Sequence, residues 1–143
     1  MKSMESVIQF VKFGIVGLSN TVIGYVIYVV SLNIFRLFNL FPEADIYIAQ
    51  LIMFLLSVLW SFYWNNKAVF KVAEGETRNL LVALVKTYIS YAFTSLFLSE
   101  ILLHVWVSLL NISEYIAPAI NLIITVPLNF LIQKFWAFKG KSG

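Results

Sequence analysis

The chain has 143 residues, of which 61% are hydrophobic and 12% are charged, and its mean hydropathy is +0.88. A soluble domain is about half apolar and a quarter charged, so a chain this short could not bury so much apolar surface in water. The absence of cysteine excludes disulfides and thiol chemistry, and the net charge of +3 does not indicate nucleic-acid binding because the basic residues border apolar segments.

Four apolar segments are long enough to cross a membrane, which takes about 20 residues in a helix. They cover residues 10–35, 46–66, 80–110 and 115–135. The first is too long for a signal-peptide core and is therefore predicted to be a true span. Continuous apolar runs are typical of helices and not of barrel strands, so we expect an all-α membrane protein with four transmembrane helices in one domain.

The basic residues predict the orientation of these spans. Nine of the ten lie on one side of the predicted membrane, and only Arg36 lies on the other. Short cytoplasmic flanks are enriched in lysine and arginine, so the side with nine is predicted to be the cytoplasmic one, with both termini there. These nine are Lys2, Lys12, Lys67, Lys71, Arg78, Lys86, Lys134, Lys139 and Lys141.

An internal repeat links the second and fourth spans. Residues 47–71 and 115–139 align without a gap, and eight positions are identical. The first and third spans correspond more loosely, with Val11 and Lys12 opposite Val85 and Lys86. This pattern predicts two tandem helical hairpins in parallel orientation, as in some transporters, although apolar helices with basic ends also resemble one another without common origin.

The predicted cytoplasmic ends of spans two and four carry the most specific pattern. SFYWNNKAVFK and NFLIQKFWAFK both look like the form Asn-Phe-x-x-Asn-basic-x-aromatic-x-Phe, and span one contributes FVKFGIVGLSNTVIGYVIY. Together they resemble the GtrA family of small four-helix membrane proteins, over nearly the whole chain. Ser61 stands where an Asn is common, and Gln133 stands where the first copy has Asn65. The matching residues are Asn20, Asn65, Lys67, Phe70, Asn129, Lys134 and Phe138.

The resemblance implies a role in cell-surface polysaccharide and teichoic-acid glycosylation. Members of the family are thought to move a polyprenyl-phosphate-linked sugar, typically undecaprenyl-phosphate glucose, from the inner to the outer leaflet. A separate glycosyltransferase makes the lipid inside the cell, and another uses it outside. We therefore expect this lipid and a polyprenyl-phosphate glycosyltransferase as partners, in a bacterial cytoplasmic membrane.

Glu100 and His104 are four residues apart and so share a helix face. Glu100 lies 14 residues beyond Lys86, roughly 21 Å at 1.5 Å per residue, in the predicted outer third of the membrane. Ionisable groups at such depth indicate function by default, here a proton relay or a contact to a sugar hydroxyl. The alternative is a partly hydrated pair near the outer surface, tied to Arg36.

A set of amides lies within or at the ends of the spans. Amides in lipid must find partners, so interhelical hydrogen bonding is one explanation and binding of sugar hydroxyls is the other. Three side chains of span four recur every four residues and are predicted to share a face. The set is Asn20, Asn65, Asn66, Asn121, Asn129 and Gln133, and Thr125 joins Asn121 and Asn129 on that face.

The basic residues at the inner ends of the spans, Lys12, Lys67, Lys86 and Lys134, have two explanations. They either set topology and attract anionic lipid, or bind the substrate phosphate, for which lysine is a suitable point charge. Arg36, alone on the predicted outer side, could receive the phosphate after crossing, but pairing with Glu43 or Asp45 in its own loop is favoured. Glycines in span one, including Gly17 and Gly24 on one face, are predicted to allow close helix contact.

We therefore expect a translocase without enzymatic activity or cofactor, since no nucleotide-binding motif, acid pair or nucleophile cluster is visible. The alternative is an accessory or anchoring subunit that positions a glycosyltransferase and transports nothing. A small multidrug exporter shares the length, but would need an acidic residue in the middle of span one, where this chain has none. Four short helices offer little room to enclose a sugar phosphate, which favours a homo-oligomer.

Overall fold

The computed structural model describes the backbone of residues 2–142 and the side chains of residues 3–140. Within this range four helical segments are long and apolar enough to cross a membrane, which confirms the predicted four-helix fold. Their bounds agree with the predicted spans to within a few residues, except that the first begins earlier. They are Ser3–Leu37, Asp45–Val69, Leu80–Leu109 and Ala117–Ala137.

Three of the four spans change from α-helix to wider π-helix along their length. The first span is one α-helix, α1. The second is α2 followed by π1, the third is α3, π2, α4 and π3, and the fourth is α5 followed by π4. The bounds are α1 Lys2–Leu37, α2 Asp45–Trp64, π1 Asn65–Val69, α3 Leu80–Ala92, π2 Phe93–Leu98, α4 Ser99–His104, π3 Val105–Leu109, α5 Ala117–Ile132 and π4 Gln133–Ala137.

The chain divides into two compact units, the first ending at Val69 and the second beginning at Phe70. Each unit contains one of the two predicted hairpins. Segments π1 and π4 begin and end 68 residues apart, the same offset that aligns the two copies in the sequence. The duplication itself stays a prediction, and the equal placement of these two uncommon segments is consistent with it.

In the first unit, α1 lies along α2. Gly24 faces Met53 and Ser57, and a methyl group added at Gly24 would lie 3.4 Å from Met53 Cγ. Nearer the predicted inner end, Gln9 Nε2 donates a 3.0 Å hydrogen bond to the carbonyl of Val69, the last residue of π1. This bond satisfies one of the carbonyls that a helix leaves unpaired at its C-terminus. Gly17 has nothing within 4 Å of an added methyl group, so only Gly24 makes the predicted close contact.

In the second unit, local sequence signals set the ends of the third span. Asn79 caps α3 by accepting a hydrogen bond from the backbone of Val82 at 3.1 Å. At the far end Asn111 adopts a left-handed conformation with φ 56°, and Ile112 N–H bonds Trp106 O at 2.8 Å. An asparagine tolerates this conformation well, and such a turn is a common way to end a helix.

The loop between the second and third spans contains a short strand that pairs antiparallel with a strand in the C-terminal segment. Strand β1, Glu76–Thr77, pairs with β2, Lys141–Ser142. The turn before β1 contains Gly75 at φ 85°, a conformation that glycine adopts without steric cost. This pair and the fourth span belong to the second unit.

The outward surfaces of both units are apolar. Large side chains such as Leu18, Tyr25, Leu81 and Ile123 are more than 60% exposed. In water such surfaces would be unstable, whereas in lipid they contact hydrocarbon. The chain is therefore a multi-pass membrane protein.

Candidate functional site

A line of buried polar side chains runs between the third and fourth spans in the second unit. Seven residues form this polar seam, and each is at least nine-tenths buried. The four from the fourth span recur every four residues and are all buried. Their common burial confirms the predicted shared face and extends it to Gln133. The seam consists of Thr87, Ser90 and Thr94 from the third span and Asn121, Thr125, Asn129 and Gln133 from the fourth.

At the centre of the polar seam a hydroxyl meets an amide. Thr94 Oγ1 donates to Asn129 Oδ1 at 3.0 Å and also lies 3.1 Å from the carbonyl of Ser90. Thr94 belongs to π2, where the wider helical turn changes the direction of its side chain relative to a regular α-helix. The bond joins the two spans directly, as polar residues do between transmembrane helices.

Towards the predicted outer surface, Asn121 uses both ends of its amide. Its Oδ1 accepts a 2.8 Å hydrogen bond from Trp106 Nε1. Its Nδ2 donates to the carbonyl and to the hydroxyl of Ser99, each at 2.9 Å. Asn121 is thus 12 residues, or about 18 Å along the helix, from Gln133 at the inner end of the seam. The seam therefore crosses more than half of a hydrocarbon core of about 30 Å.

At the predicted inner end two lysines lie against aromatic rings. Lys86 Nζ is 5.2 Å from the ring centroid of Trp136, and Lys134 Nζ is 5.4 Å from that of Phe135. Attraction between an ammonium group and an aromatic face contributes about 0.5–1 kcal/mol at exposed sites. Both lysines are half-buried in the same unit as the seam, and Gln133 beside Lys134 is fully buried. Two predicted site lysines and the seam thus occur together.

The first unit has a shorter polar arrangement at its inner end. Asn65 is fully buried, and its Nδ2 donates to Ser61 Oγ at 3.2 Å. Lys67 is exposed, with Nζ 5.5 Å from the centroid of the Tyr63 ring and 5.6 Å from that of Trp64. Ser61 and Asn65 align with Asn129 and Gln133 of the seam, but no line of amides continues outward from them along α2.

Asn20 and Lys12, the two predicted site residues of α1, differ in surroundings. Asn20 is half-buried, and its Oδ1 is a buried oxygen without a hydrogen bond among residues 2–142. The adjacent Ser19 accepts a 3.1 Å hydrogen bond from Trp60 Nε1, which joins α1 to α2. Lys12 is exposed. An unpaired buried acceptor is uncommon and marks a place where a ligand hydroxyl or water would fit.

Glu100 and His104 are exposed and do not belong to the polar seam. Their helix, α4, contributes Ser99 to the bond with Asn121, so the acid and the imidazole occupy other positions around the same helix. Arg36 pairs with Asp45, with Nε 3.2 Å from Oδ2, which confirms the predicted pairing within its loop. That Glu100 and His104 bind substrate stays a prediction, since their exposure does not test it.

The sequence did not single out Arg78, which joins Phe70 and Phe138 within the second unit. Its Nη2 donates to the carbonyls of Phe70 and Phe138, and its Nε lies 2.9 Å from the latter. The rings of Phe70 and Phe138 stack with centroids 5.0 Å apart. Burial lowers the pKa of the Arg78 guanidinium, and the charge of Glu76 opposes that shift. Phe70 and Phe138 are identical, aligned positions of the repeat, but the acceptors of Arg78 are their backbone carbonyls, which the sequence does not indicate.

These features define a class: a polytopic membrane protein of four helices, with a buried polar seam in its second hairpin and basic residues at the seam's inner end. The chain matches the model of the GtrA/DPMS transmembrane domain over residues 12–138 and belongs to that family. Membership associates it with the handling of polyprenyl-phosphate-linked sugars. No curated protein and no solved structure matches the chain.

Proposed function

We propose that the protein moves a polyprenyl-phosphate-linked sugar, such as undecaprenyl-phosphate glucose, from the cytoplasmic to the outer leaflet of a bacterial cytoplasmic membrane. The lipid would then serve glycosylation of a cell-surface polysaccharide or teichoic acid. The observation that supports this most is the polar seam, because its seven buried side chains place hydroxyls and amides, which can bond sugar hydroxyls, along the third and fourth spans.

The first step is capture of the phosphate at the inner end. Lys86 and Lys134 supply positive charge there, and the aromatic rings beside them restrict the two ammonium groups to a small region. Lysine attracts a phosphodiester as a point charge without demanding one fixed geometry. This suits a group that must be released after binding.

The second step is passage of the sugar along the polar seam. A sugar hydroxyl is both donor and acceptor, and so are the amides of Asn129 and Asn121. In the ground state these amides bond Thr94 and Ser99. Interhelical hydrogen bonds in membranes contribute on average about 0.6 kcal/mol, so a sugar hydroxyl can replace them one at a time. The prenyl chain stays in lipid against the apolar outer surface.

No enzymatic step is proposed for this protein, and the lipid's concentration difference across the membrane would drive its movement. The second candidate function is an accessory subunit that anchors a polyprenyl-phosphate glycosyltransferase without transporting the lipid. The broad exposed apolar surfaces favour this alternative, because they could serve equally as docking faces.

The deciding experiment is a flipping assay with purified protein in liposomes and a fluorescent polyprenyl-phosphate sugar. We expect protein-dependent exposure of the head group in the opposite leaflet, measured by chemical quenching. A double variant, Lys86→Gln with Lys134→Gln, should slow it at least about tenfold, the loss expected for roughly 1.4 kcal/mol of binding. Lys71→Gln, which removes an exposed lysine outside the spans, is the matched control.

If folded protein moves no lipid with any head group, yet retains a glycosyltransferase in pull-downs, the accessory function is correct. If the Lys71 variant is as slow as the double variant, Lys86 and Lys134 have no particular role and only the total positive charge matters.

A further inference from the structure

The third span has an exposed stripe that contains both an acid and an imidazole. Phe97, Glu100, Ile101 and His104 follow the i, i+3, i+4, i+7 spacing of one helix face, and all four are exposed. Phe97 also stacks on Phe93, one turn earlier, with ring centroids 5.7 Å apart. These four residues, from Phe97 to His104, are called the exposed stripe below.

The depth of the exposed stripe makes its exposure costly. Glu100 lies nine residues before the end of its span at Leu109, about 14 Å along the helix, and His104 lies about 8 Å from that end. Ionisable side chains within transmembrane segments almost always face a protein interior or a watery cavity and pair there. An unpaired carboxylate facing lipid would contradict that rule, so the stripe is expected to be covered in the membrane.

The described residues of the second unit leave both ionisable side chains of the exposed stripe without a partner. Among residues 3–140, neither Glu100 nor His104 has a hydrogen bond or ion pair, although they are one turn apart. The apolar stretches of the first two spans, 13–35 and 46–64, contain no charged residue that could pair with either group. Arg36, the only other basic residue on the predicted outer side, already binds Asp45.

We propose that the exposed stripe is an interface between two copies of this chain, related by a two-fold axis along the membrane normal. Glu100 of each copy accepts a hydrogen bond from His104 of the other, so that two equivalent bonds form. Phe97 and Ile101 of the two copies pack beside them. The occupant is a second copy because the stripe carries the acid and its complementary donor together, and is therefore complementary to itself.

The membrane topology supports this arrangement. Every copy inserts with the same orientation, so the α4 helices of two copies lie side by side and parallel. Residues four apart differ in depth by about 6 Å, roughly one turn. An acid at one level can then reach an imidazole one turn away on the neighbouring helix. A different protein would have to supply both a donor and an acceptor at matching depths, which nothing in this chain requires.

The absence of cysteine allows a clean crosslinking test. Ile101→Cys, in the purified protein reconstituted in liposomes, should form a disulfide-linked dimer on mild oxidation. Leu51→Cys is the matched control, because Leu51 is also exposed and lies at a similar depth in the second span. Equal crosslinking of the two variants would overturn the proposal, as would an Ile101→Cys product that forms only in native membranes and contains another protein.

A mixing experiment tests the exchanged pair itself. Glu100→Leu and His104→Leu each remove both bonds from a homodimer, and each should weaken association about tenfold, measured by energy transfer between labelled copies in liposomes. A mixture of the two variants keeps one bond, between Glu100 of one chain and His104 of the other. It should therefore be only about threefold weaker than the wild type.

A mixture no tighter than either variant alone would exclude the exchanged pair. Retained helical content by circular dichroism and a single peak in gel filtration ensure that a weak signal does not come from unfolding. The readout is association and not lipid movement, so the result does not depend on the proposed translocation.

Discussion

The two hairpins share a pattern of apolar residues but differ in where they bury polar groups. In the first, buried amide and hydroxyl groups of α2 and π1 lie towards the inner end, at Ser57, Ser61 and Asn65. In the second, they extend to Asn121, close to the outer surface. At the position aligned with Asn121 the first hairpin has Met53, which contacts Gly24. Away from its inner end the first hairpin combines this apolar contact with the bond from Trp60 to Ser19, whereas the second is joined there by the bonds of Asn121 and Asn129.

This difference shows that two hairpins of similar sequence pattern can be held together in different ways. Apolar packing in lipid needs close backbone approach, which Gly24 provides. Hydrogen bonds between spans add directional contacts that a polar ligand can replace. The second hairpin is therefore the expected substrate path, and the first its support.

The largest effect should follow from truncating aligned positions in the two hairpins. Asn129→Ala removes the amide that bonds Thr94, and lipid movement should fall at least about tenfold. Ser61→Ala removes the hydroxyl that bonds Asn65, and movement should fall by less than about twofold. The liposome flipping assay measures both. Equal losses in the two variants would show that the path is not confined to the second hairpin.

The next largest effect concerns Arg78, whose guanidinium binds the backbone at Phe70 and Phe138 within the second unit. Arg78→Gln removes bonds from a charged donor to the carbonyls of Phe70 and Phe138, and should lower the free energy of unfolding by about 2–3 kcal/mol. Unfolding in mixed detergent micelles measures it. Lys71→Gln, at an exposed position nearby, should change stability by less than about 0.5 kcal/mol.

Hydrogen exchange can assign this loss to one hairpin. Peptides from the fourth span should exchange faster in the Arg78 variant, while those from α1 keep the wild-type rate. Arg78→Lys should restore only part of the protection, because an ammonium group cannot reproduce the planar fork of donors. Faster exchange throughout the chain would mean that the two units unfold together.

A smaller effect on stability is expected when Asn121 is replaced by methionine, the residue at the aligned position of the first hairpin. Asn121→Met leaves the Trp106 indole N–H without its acceptor and should cost about 1–3 kcal/mol of stability. Adding Trp106→Phe removes the unpaired donor and should recover part of the loss. If the double variant is less stable than the single one, Trp106 stabilises the unit mainly through packing and not through this bond.

The sequence was sufficient to predict the four spans and the shared face of Asn121, Thr125 and Asn129. Both follow from simple periodicity, since apolar length defines a span and a spacing of four defines a face. The ion pair of Arg36 was also predictable, because its partner lies in the same short loop. The family followed from short motifs at the inner ends of spans two and four.

The partners of the polar groups could not be predicted in the same way. Which residue of the third span meets Asn129 depends on rotation about the helix axis, and π2 changes that rotation at Thr94. The same uncertainty applied to Glu100. Its spacing showed that it shares a helix face with His104, but not whether that face points into the unit or away from it. Arg78 bonds backbone carbonyls, which carry no side-chain signature in a sequence.

The smallest expected effect is at the apolar contact of the first hairpin. In Gly24→Ala the added methyl group would lie 3.4 Å from Met53 Cγ and 3.5 Å from Ser57 Cβ, an ordinary contact that the flexible methionine can accommodate. Alanine also favours the helix by up to about 1 kcal/mol, so stability should stay within about 0.5 kcal/mol of the wild type or rise slightly. Gly24→Leu is the informative companion, because its larger side chain must separate α1 from α2 and should cost about 1–3 kcal/mol. Unfolding in detergent compares the two, and a large loss already with alanine would mean that the spans approach more closely in lipid than this contact indicates.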